Sequence, residues 1–248
     1  RTPAAIKAYR DAGGIFVVCT GRSYPSVKKL LPRVYGEPHP DVPVICYQGG
    51  LTAAADGSGL RRVPMDREDI IRLAAMLEAR GIICQTYSGE KMFCSRLTAE
   101  ARNYARITDC EFDVVGNLAE FMRGYGGEFD KLLLIASPEQ VQTLRAEFMS
   151  SGEWPHFKFV FSRPTYLEAI PLGSGKDTAV RFLAERLCVP LSQTAAFGDS
   201  NNDTDMLRTA GYGVAVGNAR DECKRAADFV CAPVSDDGLA ATLESFIM

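Results

Sequence analysis

Short apolar runs with no polar alternation, set between helical segments, constrain this 248-residue chain more than any other feature. Ile15–Cys19 and Val42–Tyr47 are such runs. They are rich in β-branched residues, the pattern of a strand covered on both faces. Thr2-Pro3 predicts a helix start and Gly13 its stop, and a further helix is expected over Tyr24–Leu31. After Ser174 the alternation returns. Helices are expected over Lys176–Leu187, Asn202–Ala210, Ala219–Ala226 and Asp237–Ile247, with strands Thr194–Phe197, Gly213–Val216 and Asp228–Cys231 between them. Strands joined through helices imply right-handed crossovers and a parallel sheet. The fold class is therefore α/β, with a Rossmann-like core. Such a core ordinarily opens on a strand, and this chain opens on a helix, so a strand is expected before Arg1.

The middle of the chain has a different rhythm. Leu51–Ala55 and Leu60–Val63 flank Asp56-Gly57, a hairpin signal. Asp66 is placed to cap a helix that runs to Arg80, with Ile70, Leu73, Ala74 and Leu77 on one face and Gly81 at its end. Strands are predicted at Ile82–Tyr87, Lys91–Ser95, Asp130–Ala136, Phe157–Phe161 and Tyr166–Ile170, with a helix from Pro138 to Met149. Hairpins with two covering helices describe an α+β module. The expected division is a core of residues 1–60 and 164–248 with an inserted cap of residues 61–163.

Charge and cysteine usage exclude several functions. Lys plus Arg is 28 against 31 for Asp plus Glu, a net charge of −3, which offers no basic surface to nucleic acid. The eight cysteines include no C-x-x-C pair, and there are only two histidines, His39 and His156, so neither a zinc site nor a disulfide framework assembles. Cytoplasmic, reduced thiols are the expectation. No apolar run approaches the ~18 residues that span a bilayer.

Three polar segments fall where ligands of parallel sheets gather, at the C-terminal ends of strands. Thr20-Gly21-Arg22 follows the first apolar run, and either holds a phosphate oxygen or simply turns the chain. Phe197-Gly198-Asp199-Ser200-Asn201-Asn202-Asp203-Thr204-Asp205 concentrates hard oxygen donors that suit Mg2+. The alternative is an acidic helix start that caps orphan amides. Ser174-Gly175-Lys176-Asp177 precedes an amphipathic helix. It is not a phosphate loop, because Asp177 replaces Ser or Thr and Ile170 stands where the first glycine belongs. Lys176 is then a solvated surface charge or a fixed cation for a phosphoryl group.

Together VVCTGR, YLEAIPLGSGKDTAV, AAFGDSNNDTDMLRTAGYGVAVGNA and ADFVCAPVSDDGLAATL resemble the haloacid dehalogenase-like hydrolases, in particular the Cof-type subfamily with an α+β cap. The resemblance implies a Mg2+-dependent phosphatase of small phosphate esters, such as sugar phosphates or phosphorylated cofactors, that works through an aspartyl-phosphate. It implies Thr20, Lys176, Asp199, Asn202 and Asp203 as catalytic residues. Thr20, Gly21, Arg22, Gln48 and Gly49 would contact the substrate, and Asp199 and Asp203 the metal. Gln48 stands where the family has Asn, and the Tyr47-Gln48-Gly49-Gly50 stretch reads equally as a turn. The family's first motif, an apolar strand ending D-x-D-G-T, is not in the sequence, and Ser235-Asp236-Asp237-Gly238 follows no suitable strand. The chain is therefore expected to be an N-terminally truncated, inactive and weakly stable fragment, its sheet broken between the strands that end at Cys19 and Phe197. A phosphomutase and a phosphate- or metal-binding module without turnover are the competing readings.

Overall fold

Pro3 supplies a fixed φ in the first turn of helix α1 (Thr2–Asp11), whose N-cap position is held by Arg1, not Thr2, without a side-chain capping bond, and Gly13 at φ 91° follows its end. The computed structural model describes residues 1–36, 41–89 and 91–247; His39 lies outside them. Residues 1–20, 27–61 and those from Gly175 onward form one unit, and residues 21–26 with 62–174 a second.

In the first unit β1 (Val18–Cys19) is shorter than its apolar run, and Ile15 is exposed. Its hydrogen-bond ladder is one-sided, parallel to β2 (Val44–Cys46) with Val18 opposite Val44. The helix expected over 24–31 is two pieces, α2 (Tyr24–Lys28) and α3 (Leu31–Tyr35). Pro32 is the reason: without an N–H it cannot continue a helix but readily begins one. β3 (Leu51–Ala53) pairs antiparallel with β2, and β4 (Gly59–Arg62) completes the sheet order β1-β2-β3-β4.

The second unit is built on a six-stranded sheet. Its elements in chain order are α4 (Arg67–Ala79), β5 (Ile83–Ser88), β6 (Lys91–Cys94), α5 (Ala99–Thr108), β7 (Glu111–Val114), α6 (Leu118–Gly124), β8 (Lys131–Ile135), α7 (Pro138–Ser151), β9 (Phe157–Arg163) and β10 (Tyr166–Pro171). The strand order is β7-β6-β5-β8-β10-β9. Cys84, Leu132, Leu134, Phe157, Phe159 and Leu167 on one sheet face pack against Ile70, Leu73 and Leu77 of α4, Leu118 and Met122 of α6, and Leu144 and Phe148 of α7. Each helix start is capped as its sequence dictates, by Asp66, Thr98, Asn117 and a Ser137–Gln140 capping box.

Two expectations change here. β10 lies between β8 and β9, so residues 164–174 belong to this unit and not to the α/β core. Four helices, not two, accompany the sheet; α5, β7 and α6 went unread because α5 buries little beyond Ala101, Tyr104 and Ala105.

The first unit then resumes with α8 (Lys176–Arg186), β11 (Ala195–Gly198), α9 (Thr204–Thr209), β12 (Tyr212–Ala215), α10 (Asp221–Ala226), β13 (Phe229–Val230) and α11 (Gly238–Ser245). β11, β12 and β13 form a wholly parallel three-stranded sheet. Ala179 and Leu183 of α8 pack on Ile45, while Cys19, Val180 and Phe197 pack onto the cluster of Ala196, Leu207, Val214 and Cys223. One helix thus covers residues from both sheets. β1 and β11 are outer strands of separate sheets, with no ladder between them among the described residues. No helix among those residues is long and apolar enough to cross a membrane.

Candidate functional site

The polar turn after β11 is shaped by one carboxylate. Ser200 and Asp203 form a capping box, and Asp203 Oδ2 accepts the amides of Asp199 (3.0 Å) and Ser200 (3.1 Å). A Ser-x-x-acid pattern ahead of a helix is the readable signal for this arrangement. The other oxygen, Asp203 Oδ1, accepts from Lys176 Nζ at 2.5 Å, and the lysine and aspartate side chains are only 9% and 4% exposed. Lys176 opens α8, with Gly175 as its N-cap. The strand end and the helix start are therefore joined through a buried ion pair. Burial alone would lower the Lys176 pKa, but Asp203 outweighs it and holds the ammonium above its ordinary value. Asp203 is in turn held below the usual carboxylate range by Lys176 and the two amides, against the opposing effect of burial.

Asp199 itself is exposed. Partial desolvation of its carboxyl and the neighbouring Asp203 charge raise its pKa, with Lys176 opposing. Beside it, Asn202 donates from Nδ2 to Gln48 Oε1 at 2.9 Å. Asn201 Oδ1 and Asn202 Oδ1 are buried oxygens without a hydrogen-bond partner. A buried acceptor left unmatched costs about 1–3 kcal/mol, so a carboxylate and two unmatched amide oxygens on one turn form a donor set that fits a hard divalent cation. Asp203, expected as a metal ligand, has both oxygens engaged by Lys176 and the turn amides.

Gln48 connects this turn to the end of β1. Its amide donates to Thr20 O (3.1 Å), and Thr20 N donates to Ile45 O (2.9 Å). The connection depends on an unusual backbone. Tyr47, Gln48 and Gly49 have φ of 50°, 57° and 89°, three successive left-handed residues at a cost of order 1 kcal/mol or more for each non-glycine. Gly49 is required twice over: by its φ, and because a Cβ there would fall inside the van der Waals shell of the Gly175 carbonyl. Arg61, which the sequence did not single out, donates to Gly49 O at 3.2 Å and lies over the Phe182 ring.

Of the residues expected in a site, Thr20, Gln48, Asn202, Asp203 and Lys176 are thus linked by contacts within the first unit, with Asp199 on the same turn. Gly49 contributes backbone shape. Gly21 and Arg22 instead make contacts in the second unit: Gly21 O accepts from Lys131 Nζ, and Arg22 Nη1 donates to Ile107 O at 3.1 Å. The Cys19 thiol, next to Thr20, is pushed up to about 12 by burial despite Lys176 nearby, so it is not a nucleophile at neutral pH.

Known proteins resemble this chain in sequence and in fold. A putative phosphatase of Haemophilus influenzae is 39% identical over 114 residues, 46% of this chain and 43% of that protein. A 5-amino-6-(5-phospho-D-ribitylamino)uracil phosphatase of Bacillus subtilis is 27% identical over 98% of this chain and 90% of its own. The fold matches that of a haloacid dehalogenase-like hydrolase from B. subtilis with a TM-score of 0.85 and 22% identity, over 97% of this chain and 90% of that one. Residues 1–243 match the family model described as haloacid dehalogenase-like hydrolase. A strand-end aspartate turn clamped to a buried lysine is therefore found in a chain that belongs to the haloacid dehalogenase-like hydrolases.

Proposed function

We propose that this chain carries the phosphate- and cation-binding groups of a Mg2+-dependent phosphatase of small phosphorylated metabolites, sugar phosphates or phosphorylated cofactors. Lys176 carries the reading: a buried ammonium kept charged by Asp203, near enough to Asp199 and to Cys19, the neighbour of Thr20, for them to act on its charge. A bare surface charge would need no such partner. The named substrate of the B. subtilis relative, a phosphoribityl uracil, is a small phosphate ester of this class.

In this reading Lys176 offsets the negative charge on the equatorial phosphoryl oxygens, and Thr20 hydrogen-bonds the same group. Asp199 and the unmatched Asn202 amide oxygen would hold Mg2+. When bound, that ion would neutralise phosphoryl oxygens. We assign Asp203 to orienting Lys176 and the turn, and Gln48 to orienting Asn202. The second unit is assigned to choosing the leaving group. The family's aspartate nucleophile, which forms an aspartyl-phosphate and divides one displacement into two, has no counterpart here, because no D-x-D-G occurs in these 248 residues.

Calorimetric titration with orthophosphate in the presence of Mg2+ tests the binding half: saturable binding in the parent, abolished in Lys176→Met, is expected. Equal binding by both proteins would refute it. Aryl phosphate hydrolysis tests the other half, since Mg2+-dependent turnover by this chain as it stands would place the nucleophile inside it. The same lack of a D-x-D-G strand favours a second reading, a phosphate-binding module without turnover. An in-frame apolar run ending D-x-D-G upstream in the gene decides for the enzyme.

A further inference from the structure

We propose that Lys131 is a positioning residue, held by Glu168, that fixes the segment Gly21–Ser26 directly following Thr20. The proposal starts from the face of the six-stranded sheet opposite its apolar core. Strand register places Tyr87 opposite Lys131, and Gln85 and Glu168 opposite Leu133, so these polar side chains share that face. Lys131 is fully buried and Glu168 is 3% exposed. Lys131 Nζ donates to Glu168 Oε2 at 2.7 Å and to the Gly21 carbonyl at 2.9 Å, and lies 4.8 Å from the centre of the Tyr87 ring. Tyr87 is fixed from behind by Gln85 Nε2, which donates to its hydroxyl at 2.6 Å.

The same segment is held at three further points. Arg22 Nη1 donates to Ile107 O, Ser26 Oγ to Thr108 O, and Ser23 Oγ faces Cys110 Sγ at 4.0 Å. Two of these acceptors are carbonyls at the C-terminal end of α5, where the last C=O groups have no N–H donor within the helix.

A buried ion pair alone does not account for this lysine, because an apolar pair of similar volume is commonly as stable or more so. A donor-rich cation engages a carboxylate, a ring face and a main-chain carbonyl at once, which an apolar side chain cannot. The third contact is what an apolar pair could not supply. Its relevance to phosphate rests on the function proposed above, since Gly21 is the residue bonded to Thr20.

The test is the double variant Lys131→Met/Glu168→Leu, which removes both charges and leaves no orphaned carboxylate. Hydrogen exchange of the peptide spanning 21–28 is expected to quicken by about tenfold, the loss of roughly one charge-assisted hydrogen bond, while the urea midpoint of the whole protein stays near the parent's. Unchanged exchange in that peptide overturns the proposal. Orthophosphate titration separates the two readings. Binding in the parent that weakens about tenfold in the double variant supports both. A parent that binds no phosphate removes the functional reading while the exchange result still decides the role of Lys131. Faster exchange with unaltered phosphate affinity overturns the link to Thr20.

Discussion

Asp130 is a carboxylate that the fold keeps almost dry. Its side chain is 2% exposed, Oδ1 accepts from Arg62 Nε and Nη2 at 3.2 and 3.0 Å, and Oδ2 is buried with no partner. Burial pushes its pKa from 3.8 up to about 6, with Arg62 opposing that rise. Because the folded-state pKa lies above the unfolded one, the folded protein holds this proton more tightly. The stability from this group is complete below about pH 3.8 and is lost as pH rises to about 6. A shift of about two units at about 1.4 kcal/mol each amounts to about 3 kcal/mol. Asp130→Asn keeps the shape and the acceptor for Arg62 but does not titrate. Urea denaturation at pH 4, 5.5 and 7 should find parent and variant similar at the acid end, with the variant gaining up to about 3 kcal/mol by pH 7. A parent more stable than Asp130→Asn at pH 7 would mean that the Arg62 ion pair, 38% exposed on its arginine side, outweighs burial, and the reasoning would fail.

Gly49→Ala should destabilise by more than about 1 kcal/mol, because it combines a left-handed φ with a collision at Gly175 O; a melting temperature within a degree of the parent would contradict the close approach. Lys176→Met should cost about 3–5 kcal/mol in urea, since it strands Asp203 in the interior. Asp203→Asn, which leaves the lysine unmatched, should be similarly severe. Asp199→Asn should leave stability within about 0.5 kcal/mol of the parent, as its side chain is exposed, and should weaken Mg2+ binding as read by calorimetry.

The parts of this molecule legible from sequence are those where a single local rule decides. The apolar run before Gly198 and the oxygen-rich turn after it could be read together, because a strand end followed by capping residues is a short-range pattern. Asp66 announced its helix in the same way, and Pro138 marked the start of another. Lys176 was visible as a candidate, but whether it was solvated depended on Asp203, 27 positions away. Gln48 reads equally as a turn or a substrate contact, and its contact with Asn202 spans 154 positions. Arg22 follows a strand end suited to phosphate, yet its guanidinium donates to a carbonyl 85 residues on. The boundary near residue 163 misled because Tyr166–Pro171 is buried throughout and reads equally well as a strand of either sheet. Lys131 gave no signal, since a lysine at the head of Lys131–Ile135 looks like an ordinary solvated flank until strand register sets Glu168 beside it.

The second unit is not a continuous stretch of chain, and this limits how it can be handled at the bench. A gene fragment cut at Arg62 and Ser174 would carry the whole six-stranded sheet but omit the six residues that Ile107, Thr108, Cys110 and Lys131 hold. Such a fragment would expose helix-end carbonyls and a buried ammonium that otherwise meet protein partners. An isolated version therefore needs residues 21–26 returned, through a short designed connection or as an added peptide. Chimaeras that exchange this unit between relatives should move both stretches together.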